Sequence, residues 1–402
     1  MKKFKTLIRM MMTLVLAAGV IPPCPASAAE STPAVRTQSL TEFVPKEASP
    51  AVRASFKFLS DDRLLILSDR LTLIGLDPLE LIGEAPFPES LNDPEMVLRS
   101  DRVQELETGF GWFVEKIRES FFETRIALYE YDDNLKLIRD VDLNEICDIP
   151  TTILFGLARN GVDLFYKSDS WNLYRRNLDT GDETMIFEMT RDLTPGTFSI
   201  NSFNLIRNGE TIFFTGSQYV PEDADHTTHA IYGMMSADGE EITIRDTEEF
   251  AEIDENASAV QPYRDHTPVT SPAALISLPE PIPDDPDDLQ SLPAKTLYVW
   301  NAETDAVSKI PLREFMEDRN MALSANGKYL ATAVRENLND PASPIVVRVY
   351  DAGTGAERLS EPFPDGDRCD VQTIAVSEET ESVRLIYRQR EEVVYAEIPF
   401  GK

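Results

Sequence analysis

Recurring strand–turn–strand units, Asn-Gly hairpin turns and a lack of long helical periodicity predict an all-β fold. The architecture they point to is a β-propeller of four-stranded antiparallel blades, with seven blades preferred in a range of six to eight.

One unit is an apolar, often aromatic, strand followed by a tight polar turn and a second strand. It occupies residues 70–87, 127–139, 172–187, 230–245, 296–312 and 346–363, and residues 392–400 hold its first strand alone. Taking Thr72, Tyr129, Tyr174, Tyr232, Tyr298, Arg348 and Tyr395 as equivalent gives spacings of 57, 45, 58, 66, 50 and 47 residues. A second unit precedes most copies, at residues 58–69, 157–169, 205–217, 322–334 and 375–387. Three of these turn on Asn-Gly, at 160–161, 208–209 and 326–327, the strongest short-range hairpin signal. Together the two units make an A-B-C-D meander. One such sheet cannot bury both of its faces, whereas stacking neighbours around an axis does so. The last repeat lacks a fourth strand, and residues 35–43 are expected to supply it and close the ring. Blade five, residues 257–312, is the weakest, because prolines interrupt its first two strands. Residues 93–107 and 311–319 look locally helical.

The N-terminal residues 1–28 read as a signal peptide. Lys2, Lys3, Lys5 and Arg9 precede an apolar run over residues 10–21, too short for a membrane span. Ala26-Ser27-Ala28 places small residues for cleavage after Ala28. Cys24 follows Pro22-Pro23, a poor lipidation box. Residues 29–50 form a Pro/Ser/Thr-rich tether carrying the ring-closing strand, and residues 51–402 form the propeller domain. The expected location is therefore extracytoplasmic: secreted, periplasmic or in the cell envelope. No transmembrane span is expected in the mature chain. Export would permit Cys147 and Cys369 to oxidise. They fall in different blades, and whether they are bonded stays open at this stage.

The chain is strongly acidic, with 70 Asp plus Glu against 38 Lys plus Arg and a net charge of −32. Nucleic acid and anionic lipid require cationic surfaces, so both are excluded as partners. A protein or peptide partner, cationic in character, fits better.

The Asn-Gly turns and the hairpin segment Leu297-Tyr298-Val299-Trp300-Asn301-Ala302-Glu303-Thr304 resemble the WD40-like and TolB-like β-propellers over roughly residues 54–400. The Gly-His and Trp-Asp signatures of true WD40 repeats are missing. The resemblance implies an interaction platform more often than an enzyme.

In such a meander the A–B and C–D turns share one rim, and the B–C and D–A connections share the other. The first set is short here. The second is long, at residues 116–125, 219–230, 279–296 and 335–345 (B–C) and 88–109 and 188–199 (D–A). Long loops on a rigid scaffold are where binding usually sits. This rim is acidic, with Glu119, Glu123, Glu222, Asp223, Asp225, Asp284, Asp285, Asp287, Asp288, Glu336 and Asp340, interleaved by Arg118, Arg125 and Arg335. The binding candidates are Glu222, Asp223, Asp225, Asp284, Asp285, Asp287 and Asp288. His226 and His229 are candidate metal ligands, since imidazole beside carboxylate suits zinc-like ions. A solvated polar loop explains the same residues, and His266 belongs to the opposite rim. Asp284-Asp285-Pro286-Asp287-Asp288 could hold Ca²⁺ but lacks EF-hand spacing. No cofactor is expected beyond a divalent cation.

No Gly-x-Ser-x-Gly elbow, phosphate loop or dinucleotide fingerprint is present, so no catalytic residue is assigned. Trp112, Trp171 and Trp300 sit at strand positions and read as packing between blades. The favoured function is an exported, non-catalytic binding module using the acidic B–C/D–A rim. The alternatives are a channel-sited hydrolase or lyase using carboxylates, with or without a divalent cation, and a purely structural envelope domain.

Overall fold

A computed structural model describes residues 35–44, 54–91, 97–118, 123–147, 155–168, 172–188, 197–219, 228–246, 267–277, 296–311, 320–336, 340, 343–363 and 369–401. Contacts divide the chain into Met1–Ala34 and Val35–Lys402, and every element below belongs to the second unit.

The elements follow the repeats. Strand β1 is Arg36–Ser39. Blade one holds β2 (Ser55–Ser60), β3 (Arg63–Leu67), β4 (Arg70–Leu76) and β5 (Leu79–Pro86). Blade two holds β6 (Val97–Glu105), β7 (Phe110–Arg118), β8 (Glu123–Tyr131) and β9 (Leu137–Asp142), followed by a one-turn helix α1 (Leu143–Ile146). Blade three holds β10 (Phe155–Leu157), β11 (Asp163–Lys167), β12 (Leu173–Asn177) and β13 (Glu183–Phe187). Blade four holds β14 (Phe198–Ile206), β15 (Thr211–Tyr219), β16 (Thr228–Ser236) and β17 (Ile242–Asp246). Blade five holds β18 (Ala273–Ser277), β19 (Thr296–Asn301) and β20 (Ala306–Pro311). Blade six holds β21 (Met321–Leu323), β22 (Tyr329–Arg335), β23 (Ile345–Asp351) and β24 (Glu357–Pro362). Blade seven holds β25 (Cys369–Ser377), β26 (Ser382–Gln389) and β27 (Glu392–Pro399).

Each sheet is an antiparallel meander in chain order, except that the seventh runs β1-β27-β26-β25. The two ends of the described chain therefore meet in one sheet, with Arg36 opposite Glu397 and Ser39 opposite Val394. Leu40 continues the contact: its N–H donates to the Val393 carbonyl at 2.7 Å, and its side chain is fully buried. The fifth sheet has three strands among the described residues, and residues 247–266 lie outside them.

Packing shows why the sheets form a ring. In β3, Leu64 and Ile66 join a cluster with Ile386 and Tyr395 of blade seven, while Leu65 and Leu67 join Trp112 and Tyr129 of blade two. Alternate residues thus serve opposite neighbours, as the period of two requires. Both faces are covered, so all four are buried. Full burial of one such side chain stabilises by about 1.5–3 kcal/mol. The same arrangement recurs between blades two and three, three and four, four and five, five and six, and six and seven. Seven interfaces join seven blades, so the structure is a closed seven-bladed β-propeller. Trp112 and Trp300 are buried in two of these interfaces.

Several sequence expectations are corrected. The helix expected over 93–107 is a strand over most of that range: β6 covers Val97–Glu105, where Val103 pairs with Trp112 and Glu105 with Phe110, and residues 93–96 lie outside the described residues. Pairing with β7 overrides the local charge spacing that suggested a helix. The long D–A connection expected over residues 88–109 therefore ends at β6. The loop expected over residues 116–125 is shorter, because pairing of Lys116 with Arg125 and Arg118 with Glu123 extends the β7–β8 ladder. The expected helix at 311–319 lies largely outside the described residues. Cys147 and Cys369 form no disulfide and are buried in the clusters between blades two and three and between blades six and seven. Burial pushes the Cys147 thiol up to about 12. Among the described residues no helix is long and apolar enough to cross a membrane.

Candidate functional site: two unequal rims and a central channel

The ring presents two rims of different construction. The A–B and C–D turns between described strands are two to five residues long. The D–A connections and three of the B–C connections reach further: residues 220–227 join β15 to β16, 278–295 join β18 to β19, 336–344 join β22 to β23, and 143–154 join β9 to β10, while the other four B–C connections are two to five residues long. The rims differ because a hairpin turn only has to reverse the chain, while a D–A connection must step from the outer edge of one blade to the inner edge of the next.

The turn rim is tied to itself. Going round the ring, Arg63 pairs with Asp133, Glu107 N–H donates to the Arg159 carbonyl at 2.8 Å, and Arg159 N–H donates to the Asn208 carbonyl at 3.0 Å. Asn208 N–H donates to the Val269 carbonyl at 2.7 Å, and the Thr270 hydroxyl to the Ala325 carbonyl at 3.4 Å. Asn326 donates to Glu378 at 2.8 Å, and the Ser377 hydroxyl to Asp61 at 2.7 Å. Each of the seven junctions carries a polar tie of this kind. These donors and acceptors are occupied in holding neighbouring blades together.

The loop rim carries the residues singled out from sequence. Glu222, Asp223, Asp225 and His226 belong to 220–227, and Asp284, Asp285, Asp287 and Asp288 to 278–295, all outside the described residues. The strand ends that hold these two segments belong to blades four and five, which pack directly on one another. His229 is not in a loop: it lies in β16, opposite Gln218 of β15. The pairing of Tyr219 with Thr228 carries the ladder past the position where the sequence suggested a loop. Of the other acids, Glu336 and Asp340 are exposed. Among the described residues no cluster of His, Cys, Asp and Glu has the arrangement of a metal site.

The third feature is a cavity of about 610 Å³ on the propeller axis, bordered by residues from the inner side of all seven blades. Among the described residues its lining contains two carboxylates, Asp61 and Glu105, both at the turn end. Asp61 accepts from Ser377 and lies 3.5 Å from the Arg384 guanidinium. Glu105 pairs with Arg159 at 3.2 Å. Burial raises the Glu105 carboxyl above its ordinary range, with Arg159 opposing and Asp61 adding to the rise. The described lining also contains two cations, Lys57 of β2 and Arg102 of β6. Arg102 lies 5.3 Å and 5.5 Å from the ring centres of Phe113 and Phe155 and donates to Gln104 at 3.1 Å. Register shifts interrupt the innermost strands at Phe58/Ser60, Leu98/Ser100, Ile200/Ser202 and Val371/Thr373. Such bulges re-aim side chains and accumulate beside functional sites.

Sequence reasoning did not identify the channel residues. Their signal is faint: Lys57 in SFKFLS and Asn204 in SFNLI are single polar residues within otherwise apolar innermost strands. Polar positions flanked by core positions on a strand edging the axis are the pattern that marks them.

Fold and geometry define a class: a closed seven-bladed β-propeller with one self-tied rim, one rim of long connections and a lined axial cavity. No protein-family model matches the chain, and no curated protein sequence matches it. Among solved structures it is similar to the uncomplexed acylaminoacyl peptidase of Pyrococcus horikoshii, at 10% identity and a TM-score of 0.41, over 73% of this chain and 43% of that one. The orthorhombic crystal form of the same peptidase gives 9% identity and a TM-score of 0.43, over 75% of this chain and 44% of that one. The chain thus corresponds to less than half the length of those peptidases.

Proposed function

We propose that this chain is an exported, non-catalytic β-propeller that binds a cationic protein or peptide segment, or a cell-envelope component, through the rim of B–C and D–A connections. The observation that carries this reading is the unequal construction of the two rims. The turn rim ties polar groups of neighbouring blades together, while the longest connections, and with them the acidic residues singled out from the sequence, belong to the other. Blades four and five hold the two segments bearing Glu222, Asp223, Asp225, Asp284, Asp285, Asp287 and Asp288 on adjoining strand pairs. Negative charge gathered on one side of a rigid disc focuses a field that draws in Lys- and Arg-rich partners. A divalent cation at His226 and the neighbouring carboxylates would bind on the same rim, with His229 fixed by its strand. The carboxylates of the channel favour binding over hydrolysis, since Asp61 and Glu105 are each engaged by an arginine. Export follows from the leader over residues 1–28 and predicts a mature N-terminus at Ala29.

Octalysine is a suitable probe. Its Kd for the mature protein is compared with that for Asp284→Asn/Asp285→Asn/Asp287→Asn/Asp288→Asn and with a control neutralised on the turn rim, Asp179→Asn/Glu240→Gln/Glu303→Gln/Glu379→Gln. The four control positions are exposed. The first variant is expected to bind at least about tenfold more weakly than the control, since each neutralised contact removes a fraction of a kcal/mol to about 1 kcal/mol. Equal weakening in both variants would show that only net charge matters and would overturn the reading.

A further inference from the structure

We propose that strand β5, the outer edge of blade one, is a docking site for an extended cationic segment of a partner protein, which adds to the sheet as a fifth strand. This surface lies on the outside of the ring and is separate from the acidic rim.

Apolar surface is left in water at one kind of place. Of the seven large apolar side chains exposed among the described residues, six lie on fourth, outermost strands: Leu81 and Ile82 on β5, Leu137 and Ile138 on β9, Met185 on β13 and Ile242 on β17. A single exposed apolar residue is ordinary on a protein surface. On β5 two of them are neighbours, 49% and 43% exposed, and the strand that carries them is open. β5 is the longest of the outermost strands, with eight residues against four to six in the others. Its one neighbour in the sheet is β4. Among the described residues no hydrogen bond reaches its backbone from any other element. A row of N–H and C=O groups therefore faces outwards, the template that an added strand completes. β9 is occupied by comparison: Ser90 donates to Asp140 at 3.0 Å, and Arg139 donates to the Gly161 carbonyl at 2.9 Å and to Asp179 at 2.6 Å.

Charge selects the occupant. Outer strands are commonly guarded by lysine, whereas the ionic residues of β5 are Glu80 and Glu84 alone. Glu80 is exposed and makes no ion pair. Glu84 lies 3.6 Å from Arg70, which also pairs with Asp69 at 3.1 Å. A second copy of this chain would set the same carboxylates against them in a molecule of net charge −32, and like charges across a strand pair are destabilising. A segment carrying Lys or Arg together with β-branched apolar residues meets every feature: its backbone completes the ladder, its cations meet Glu80 and Glu84, and its apolar side chains cover Leu81 and Ile82. The ladder between β4 and β5 skips Ile82, between the pairs Leu73–Gly83 and Ile74–Leu81. The added strand accordingly pairs on either side of that bulge.

The test uses the mature full-length chain and a capped heptapeptide alternating Lys and Val, with saturating octalysine present throughout to occupy the acidic rim. The comparison peptides are the Glu/Val counterpart and a Lys/Val peptide N-methylated at alternate amides, which keeps the charge but cannot complete a ladder. The Lys/Val peptide is expected to bind at least about tenfold more tightly than either, and to protect amides of residues 79–86 from hydrogen exchange. Leu81→Lys/Ile82→Lys, which places the usual guard on the edge, should weaken binding at least about tenfold. Glu80→Lys serves as the second variant should the first fail to fold. The proposal is overturned by unchanged affinity in a folded β5 variant, by equal binding of the N-methylated or Glu/Val peptide, or by protection that leaves out residues 79–86. Octalysine binding at the rim is read from the rim variants and is untouched by any of these outcomes, so the two proposals fail separately.

Discussion

Two glycines of the turn rim show how different the same residue type can be. Gly209 closes the 207–209 turn of blade four at φ +95°, and a Cβ added there would lie 2.5 Å from Ala158 Cβ and 2.8 Å from Ala158 Cα. Gly181 also has positive φ, +77°, but the nearest atom to its added Cβ is the tip of Arg176 at 3.7 Å. Gly181→Ala should therefore cost only the left-handed backbone term, about 1–2 kcal/mol. Gly209→Ala adds a backbone collision at the junction of blades three and four and should lower stability by more, as denaturant midpoints at constant m would show. Equal losses would contradict this. A second residue-scale prediction concerns Asp163, which is buried. Burial would raise its carboxyl, but hydrogen bonds from Arg175 at 2.8 Å and 3.1 Å and from Asn160 at 2.9 Å outweigh it and hold the group below its ordinary value. A lowered native pKa contributes stability above the unfolded value, about 4, and that contribution is lost as pH falls through the native value. Arg175→Ala should cost about 1–3 kcal/mol at pH 7, with the gap to wild type narrowing in acid. A gap that widens in acid would reverse the sign and refute the assignment.

At the scale of the element, the strand that completes blade seven is the most informative. β1 is four residues long and polar, and only Leu40 behind it is fully buried. Leu40→Ala should cost about 2–5 kcal/mol and should raise amide exchange first in β27, whose partner is loosened; fastest exchange elsewhere would place the weak point in another blade. The hairpins were legible in the sequence because a turn needs few, distinctive residues: Asn160-Gly161 and Asn326-Gly327 mark β10–β11 and β21–β22 directly. The first hairpin of blade two was not legible. β6 reads VLRSDRVQE, and its Arg102 and Gln104 border the axial cavity, so binary patterning has little to follow. The strand ends of the B–C connections were misplaced for a related reason. Lys116–Arg125 and Tyr219–Thr228 are paired by backbone hydrogen bonds that ask nothing of the side chain, and polar sequence there was mistaken for loop.

For the whole molecule, sequence patterning revealed the number of blades and the rim on which length accumulates. It anticipated a central channel but not its lining, because the lining is assembled from a few residues on each of several distant strands. The account rests on the two rims having different tasks, one joining blades and the other meeting a partner. Hydrogen–deuterium exchange with and without octalysine tests that division most directly. Protection confined to the B–C and D–A connections and their flanking strand ends, strongest at blades four and five, is the predicted result. Protection at the two- to five-residue turns of the opposite rim, or spread evenly over both, would contradict it.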